Sequence, residues 1–359
     1  MAAIAGLLQG SQKLQIDMEQ MLETMSHRGP DSKESLSSGP FTGGVVAQKL
    51  SNERGNGFAR AGNVTVFFDG EIYNDRQSGN SDAEIVADLY KKHGRLFPGY
   101  CKGVFACAVW DGDELVCARD PVGVRPLFYG HTKGGGFVFS SEMKALVDIA
   151  EDVYELRPNT VISTKTGING YVVHYPEVDI PATAEEAAKK LRKVLTAAVE
   201  RRLADGALGG MLLSGGLDSS IIAAVANELK PGIPTFTVGL KDGNAPDLEN
   251  AAIMAEHLGV EHHQYLFTPE EIEGLVNEAV WKLESFDEDC ISGAISNLYA
   301  SSLASKHTNC IFSGEGGDEL FGGYHLLKEL PTEDERLQMM HKLVEIAYNT
   351  AVQRLDRAM

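Results

Sequence analysis

No stretch of this sequence approaches the ~20 consecutive apolar residues of a membrane-spanning helix, although 43% of its 359 residues are hydrophobic. Positive charge is also in short supply, since 32 Lys and Arg face 51 Asp and Glu for a formal net charge of −19. That field repels phosphate backbones and anionic membrane surfaces, so neither nucleic acid nor membrane is expected as a partner. It opposes anionic metabolites too, so a site for one must be made locally favourable by a metal, a helix dipole or a few lysines. Cysteine is scarce: Cys101, Cys107, Cys117, Cys290 and Cys310 are odd in number and never spaced as CxxC. Reduced thiols packed in apolar runs are the expectation. The opening MAAIAGLLQG is too short and lacks the basic flank of a secretory signal, which points to the cytoplasm. Internal repeats and low-complexity tracts are missing as well.

What is present divides into two patterns, in a chain long enough for two ordinary domains. Residues 1–175 read as short strands punctuated by glycine, such as FTGGVVAQKL, NVTVFFDG, GVFACAVWDGDELVCARD, PLFYG and GGGFVFSS. Turn pairs such as Asp111-Gly112 fit antiparallel hairpins. Helices are expected at 16–26, where Ile16, Met18, Met21, Leu22 and Met25 share a face, and at 81–93, opened by Ser81 with Glu84 three residues on. The expectation is an α+β unit of antiparallel layers. PEVDIPA, residues 176–182, reads as a linker, because it carries two prolines and no periodicity. Residues 183–359 then alternate strands (GMLLS, PTFTVG, HHQYLF, NCIFS) with helices at 219–229, 247–258, 269–283 and 291–306. That alternation predicts an α/β, doubly wound parallel sheet.

The segment MLLSGGLDSS, residues 211–220, is an apolar run that breaks into glycines, hydroxyls and an acid. Ligands of an open parallel sheet sit beyond the carboxyl ends of its strands, and this turn lies at such an end and feeds a helix. The backbone N–H groups of Ser214, Gly215 and Gly216 can face a phosphate there, with the hydroxyls of Ser219 and Ser220 at the positive end of the helix. A Cβ at the glycines would block that approach. The plain alternative is a strand-to-helix turn capped by Ser or Asp. The string lacks the Lys of the GxxxxGK(S/T) loop, so it is not the phosphate loop of kinases and GTPases. It resembles instead the SGGxDSS loop of the ATP pyrophosphatases, which grip the pyrophosphate of ATP and transfer AMP to a carboxylate.

A second acidic glycine turn, SGEGGDELFGGYH at 313–325, follows the strand NCIFS. Asp218 and Asp318 both stand at carboxyl ends of predicted parallel strands and can converge on one magnesium. Glu315 is then the base for an incoming amine. The carboxylates of ESFDED, 284–289, read mainly as a solvated helix end, with Glu284 and Asp287 as candidates for an outer role. His262 and His263 alternate along a strand and receive no role.

These turns, with TFTVGL and HLGVEHHQYLFTPEE between them, resemble the synthetase domain of the glutamine-dependent asparagine synthetases. HRGPDS, DGEIYN, SDAEIV, CARDPVGVRPLFYG and FSSEMKAL are similar to that family's class II glutamine amidotransferase domain, so the resemblance covers nearly the whole chain. It implies an Ntn-like αββα sandwich followed by an ATP pyrophosphatase domain. By that resemblance Leu213 and Val238 line the nucleotide site, and Ser214, Gly215, Gly216, Leu217, Asp218, Ser219 and Ser220 bind pyrophosphate. Ser313 and Gly314 touch ATP, Asp218 and Asp318 hold magnesium, and Glu315 is the base. The implied substrates are a small carboxylate, aspartate in the asparagine synthetases, and ammonia or an amine. A homodimer is compatible with the resemblance.

The chain departs from the family's pattern in the glutamine pocket. Class II amidotransferases open with Met-Cys, and the freed cysteine attacks glutamine; this sequence opens Met1-Ala2. Lys49 stands where the family has an arginine that clamps the glutamine carboxylate, and lysine loses the bidentate fork. Asp69, before Gly70, replaces the asparagine of NGEIYN, putting a carboxylate where oxyanion donors are needed. The expectation is a retired glutaminase domain kept as scaffold. Asp82 can still hold a glutamine α-amine, which leaves a glutamine sensor as one alternative. A non-catalytic ATP-binding homologue is another. A β-lactam synthetase-like cyclising ligase is a third, opposed by Glu315, where those enzymes carry tyrosine. The helical pattern HKLVEIAYNTAVQRLDRAM stops without a cap; the family's pattern continues and supplies a lysine to the phosphates, so a truncated form or a completing partner is expected.

Overall fold

The computed structural model describes residues 1–12, 17–49, 55–74, 80–173, 181, 183–203, 209–243, 246–347 and 357. The chain divides into two compact units, Met1–Pro176 and Glu177–Met359. The expected linker at 176–182 lies outside the described residues except for residue 181.

The first unit runs β1 (Ala2–Leu8), α1 (Met18–Thr24), β2 (Ser32–Ser38), β3 (Phe41–Ala47), β4 (Phe58–Ala61), β5 (Val64–Ile72) and α2 (Asp82–His93). It continues through β6 (Gly103–Trp110), β7 (Leu115–Arg119), β8 (Phe128–His131), β9 (Phe137–Ser140), β10 (Asp152–Glu155), β11 (Thr160–Ser163) and β12 (Gly167–Gly170). Two six-stranded sheets result, ordered β10-β8-β9-β1-β3-β2 and β12-β11-β7-β6-β5-β4, and their ladders are antiparallel.

The period of two along each strand sorts side chains into layers. Ala2 and Ile4 of β1 join Phe41, Phe67, Ala106, Ala108 and Phe139 in a core between the sheets. Ala3, Ala5 and Leu7 face the other way, onto Met18, Met21 and Leu22 of α1. Val66 and Phe68 of β5, with Phe105 and Cys107 of β6, pack under Ala83, Val86 and Tyr90 of α2. The layering is therefore helix, sheet, sheet, helix. The Ser81–Glu84 capping box expected at the start of α2 is present. The Asp111 side chain accepts from the amides of Asp113 and Glu114 and closes the expected hairpin turn between β6 and β7. The five cysteines are free, and four are buried.

The second unit runs α3 (Ala184–Leu203), β13 (Gly209–Leu212), α4 (Leu217–Leu229), β14 (Thr235–Leu240), α5 (Pro246–Leu258), β15 (His262–Phe267), α6 (Pro269–Leu283), α7 (Glu288–Ala304) and β16 (Cys310–Phe312). Three more helices follow: α8 (Gly317–Phe321), α9 (Leu326–Glu329) and α10 (Glu333–Ala347). The four strands are parallel in the order β15-β14-β13-β16. Met211 and Leu213 bury one face against Val199, Ala223, Ala226, Ala251 and Ala255 of α3, α4 and α5. On the other face Tyr299 of α7 stacks on Phe267 with ring centres 4.7 Å apart. Among the described residues no helix is long and apolar enough to cross a membrane.

Several expectations shift in detail. Helix α4 begins at Leu217 rather than 219, and α10 begins at Glu333, well before the expected 341. The acids of ESFDED serve as caps: Asp287 accepts from the Cys290 amide to start α7, and Glu284 ends α6 in a left-handed conformation.

The inter-sheet core of the first unit rests on Phe41, which is fully buried and lies 5.3 Å from Trp110 and 6.5 Å from Phe139, ring centre to ring centre. Phe41→Ala is expected to destabilise this unit by about 3–5 kcal/mol, read as a fall in the midpoint of denaturant unfolding. Ile168→Ala, on the exposed edge strand β12, should cost less than about 0.5 kcal/mol.

Candidate functional site

Past the end of β13 the chain runs through Leu213, Ser214, Gly215 and Gly216 before α4 starts. Gly216 is the N-cap, and no side chain caps the helix. The first-turn N–H groups of this 13-residue helix therefore lack a side-chain cap at the end where the macrodipole favours negative charge. The loop braces itself instead. Ser214's amide donates to the Ser219 hydroxyl at 3.2 Å, that hydroxyl donates to the Gly216 carbonyl at 3.2 Å, and Gly216's amide donates to Ser214 Oγ at 3.3 Å. Ser219 is consequently buried, and its hydroxyl is spent inside the loop rather than turned outward as the sequence reading supposed. Ser220 is half-buried one position further along.

The need for glycine also has a different cause from the one expected. Gly215 has φ +77, a left-handed conformation that favours glycine. A Cβ there would stand 2.6 Å from the Ala251 amide nitrogen of α5, so the obstacle is the protein's own helix.

The second glycine turn lies directly against the first because β13 pairs with β16, Gly209 opposite Cys310 and Met211 opposite Phe312. A Cβ on Gly314 would be 2.6 Å from the Ser219 amide nitrogen, and one on Gly317 would be 2.4 Å from the carboxyl carbon of Asp218. Asp318 lies in the first turn of α8; burial and the Asp218 carboxylate push its pKa up. Asp218 and Asp318 are thus neighbours. Among the described residues no group of three or more His, Cys, Asp or Glu forms a metal cage. Two neighbouring carboxylates could together hold one divalent cation.

Ser313 is half-buried, its Oγ accepting from the Glu315 amide at 3.4 Å, and Glu315 itself is exposed at the mouth of the turn. Leu213 is buried, its amide donating to the Phe236 carbonyl at 2.9 Å, and half-buried Val238 lies two residues further along β14. Two residues of this turn escaped the sequence reading. Tyr324 donates to buried Glu319 at 2.6 Å. Burial and that carboxylate push the phenol's pKa well up.

In the first unit Met1, Ala2, Gln48, Gly70, Asp82 and Arg125 help line a pocket that opens to solvent. Ala2's amide donates to Asp69 Oδ1 at 3.0 Å. Asp69 is fully buried and pairs with Arg28 at 3.3 Å, with Arg125 3.9 Å away. The carboxylate expected to repel an oxyanion is thus already neutralised by two guanidiniums. Gly70 has φ +144 and its Cβ position lies 2.1 Å from the Val104 carbonyl oxygen, so the strand admits no larger residue there.

Lys49 is a correction. It is exposed, its amide donates to Asp31, and it does not line the pocket. The pocket's guanidinium is Arg125, held in the quoted segment CARDPVGVRPLFYG by a loop whose amides at Val122 and Gly123 donate to Asp120 at 2.9 and 2.7 Å.

A glutamine amidotransferase-type unit followed by an asparagine synthase-type unit is the class this chain falls in. Residues 1–166 match the model of a glutamine amidotransferase domain, and residues 190–359 match that of asparagine synthase. A glutamine-hydrolysing asparagine synthetase from Sandersonia aurantiaca is 30% identical over 95% of this chain and 70% of its own length. One from Zea mays is 34% identical over 77% of this chain and 51% of its own. Asparagine synthetase B from Escherichia coli K12 is 30% identical over 87% of this chain and 62% of its own. The chain belongs to the glutamine-hydrolysing asparagine synthetase family, and it spans between about half and somewhat over two-thirds of the length of these relatives.

Behind the pocket, Arg28 also approaches Glu142, 3.9 Å away. Burial alone would raise the Glu142 carboxyl, but the His27 ring at 3.0 Å with Arg28 and Lys144 holds it down at about 2, against an ordinary 4.5. A depressed folded-state pKa gives stability that is present above pH 4.5 and lost as pH falls toward 2. Glu142→Gln should therefore cost on the order of 3 kcal/mol at pH 7, with the difference from the parent vanishing near pH 2 in urea unfolding.

Proposed function

We propose that this chain is an ATP- and magnesium-dependent ligase that forms an amide by adenylating a carboxylate, aspartate in the first instance, for attack by ammonia or an amine. The observation that supports it most is the uncapped start of α4, set against a second glycine turn that brings Asp318 beside Asp218. In this reading the amides from Ser214 to Ser220 take the β- and γ-phosphates. Leu213 and Val238 line the nucleotide, with Ser313 and Gly314 against it. Asp218 and Asp318 hold magnesium, which when bound supplies positive charge to the phosphates.

A carboxylate oxygen attacks the α-phosphorus and pyrophosphate leaves. The amine nitrogen then attacks the acyl carbon, AMP departs, and Glu315 takes the proton that the nitrogen sheds. The half-buried geometry of the turn keeps Glu315 at the open side, where an amine arrives from solvent.

The first unit is, in the same reading, an Ntn-like sandwich that no longer hydrolyses glutamine. Ala2 offers a methyl group at the first position of β1, where the family's chemistry needs a thiolate. Its neighbour Asp69 is committed to two arginines and to the Ala2 amide itself. The unit's intact packing supports a retained scaffold role.

Incubation with ATP, magnesium, aspartate and ammonium should release pyrophosphate in an aspartate-dependent manner. Asp218→Asn should lower that rate at least about 100-fold, because the metal loses a charged ligand in the transition state; an unimpaired variant would refute the site. Glutamine supplied in place of ammonium should yield no glutamate, and measurable glutamate release would overturn the retirement of the first unit.

A further inference from the structure

Two groups in the turn after β16 have no task in the reading above, the carboxylate of Glu319 and the phenol of Tyr324. Glu319 is the buried residue of α8, 6% exposed, and a carboxylate so placed costs free energy unless it is hydrogen-bonded. The Tyr324 hydroxyl meets its Oε1 at 2.6 Å, the short separation of an O–H donating to a carboxylate. Between the two the chain reverses through Gly322, at φ +69, and Gly323. The Gly323 amide donates to the Asp318 carbonyl at 3.1 Å. A Cβ on Gly323 would stand only 1.9 Å from Asp318 Oδ1. The backbone immediately before Tyr324 is therefore the wall on which the Asp318 carboxylate rests. Buried Leu327 anchors the chain beyond the tyrosine, its Cδ1 3.2 Å from the Cβ position of Gly322.

From these contacts we propose that Tyr324 is a positioning residue, whose hydrogen bond to Glu319 holds Gly323 against Asp318 and so sets where that carboxylate stands relative to Asp218. Without the bond the returning chain keeps the Gly323 amide contact and the Leu327 anchor but loses its side-chain tie to α8. Asp318 then gains rotamer freedom, and repulsion from Asp218 turns it outward. The inference rests on the proposed role of the two aspartates toward magnesium.

The test is isothermal titration of the full chain with the α,β-methylene analogue of ATP at graded magnesium, on the parent, Tyr324→Phe, Glu319→Leu, the double variant and Glu319→Gln. Each of the first two variants should raise the magnesium concentration at half-saturation about tenfold, the worth of one hydrogen bond to a charged group. The double variant should be no worse than either single one. Glu319→Gln keeps an oxygen for the phenol and should stay within about twofold of the parent. A lowered melting temperature with an unchanged magnesium requirement would mark a role in folding alone and overturn the proposal. Amide hydrogen exchange over residues 313–323, without ligand, is the second measurement. Faster exchange in Tyr324→Phe with α4 unchanged is expected, and equal exchange overturns the proposal. If the parent takes up no analogue, the nucleotide reading falls, while the exchange result still decides whether Tyr324 holds the turn.

Discussion

The parallel pairing of β13 with β16 is the constraint on which the candidate synthetase site depends. It sets two glycine turns, about a hundred residues apart in sequence, side by side at the carboxyl edge of one sheet. Because both strands point the same way, both turns emerge on the same edge, and backbone meets backbone at Gly314 and Ser219. Such an approach is open only to glycine. Each aspartate of the site likewise rests on a glycine, Asp218 on Gly317 and Asp318 on Gly323, so the acids are held by shape as well as by bonding. The charge this concentrates is unfavourable in an already acidic chain.

The first unit solves a different electrostatic problem. Among its buried acids, Asp69, Asp120 and Glu142 are held by identified partners. Asp69 and Glu142 share Arg28, and Asp120 is held by backbone amides of its own loop. Burying charge is costly unless it is paired and hydrogen-bonded, so these groups tie the pocket's walls together. Walls fixed in this way owe their arrangement to these buried pairs rather than to the side chain at Ala2.

Much of the fold was legible in the residues. The strand run NVTVFFDG, the Ser81 cap, the Asp111 turn and the strand-helix rhythm after residue 209 all specify local structure through short-range physics. What escaped was of two kinds. Strand β2, SKESLSS, is exposed along nearly its whole length at a sheet edge, so it carries no apolar alternation to read. Helix α8 and the turn around Gly322 are too short for periodicity to register. In the site, the glycine turns and their aspartates were visible as strings, but Glu319, Tyr324 and Arg125 look in sequence like ordinary surface residues. Lys49 was misplaced for the converse reason, since a motif position says nothing about where a long side chain points.

The sequence by itself determined the two units, their sheet types and the two acidic glycine turns, because these follow from periodicity, capping and the backbone freedom of glycine within a few residues. Only the tertiary structure decided that the two turns touch, that Ser219 faces inward, that Gly215 makes room for α5, and that Arg28 and Arg125 neutralise Asp69. Those outcomes depend on strand order and on burial, which are properties of the assembled sheets and are encoded in no single segment.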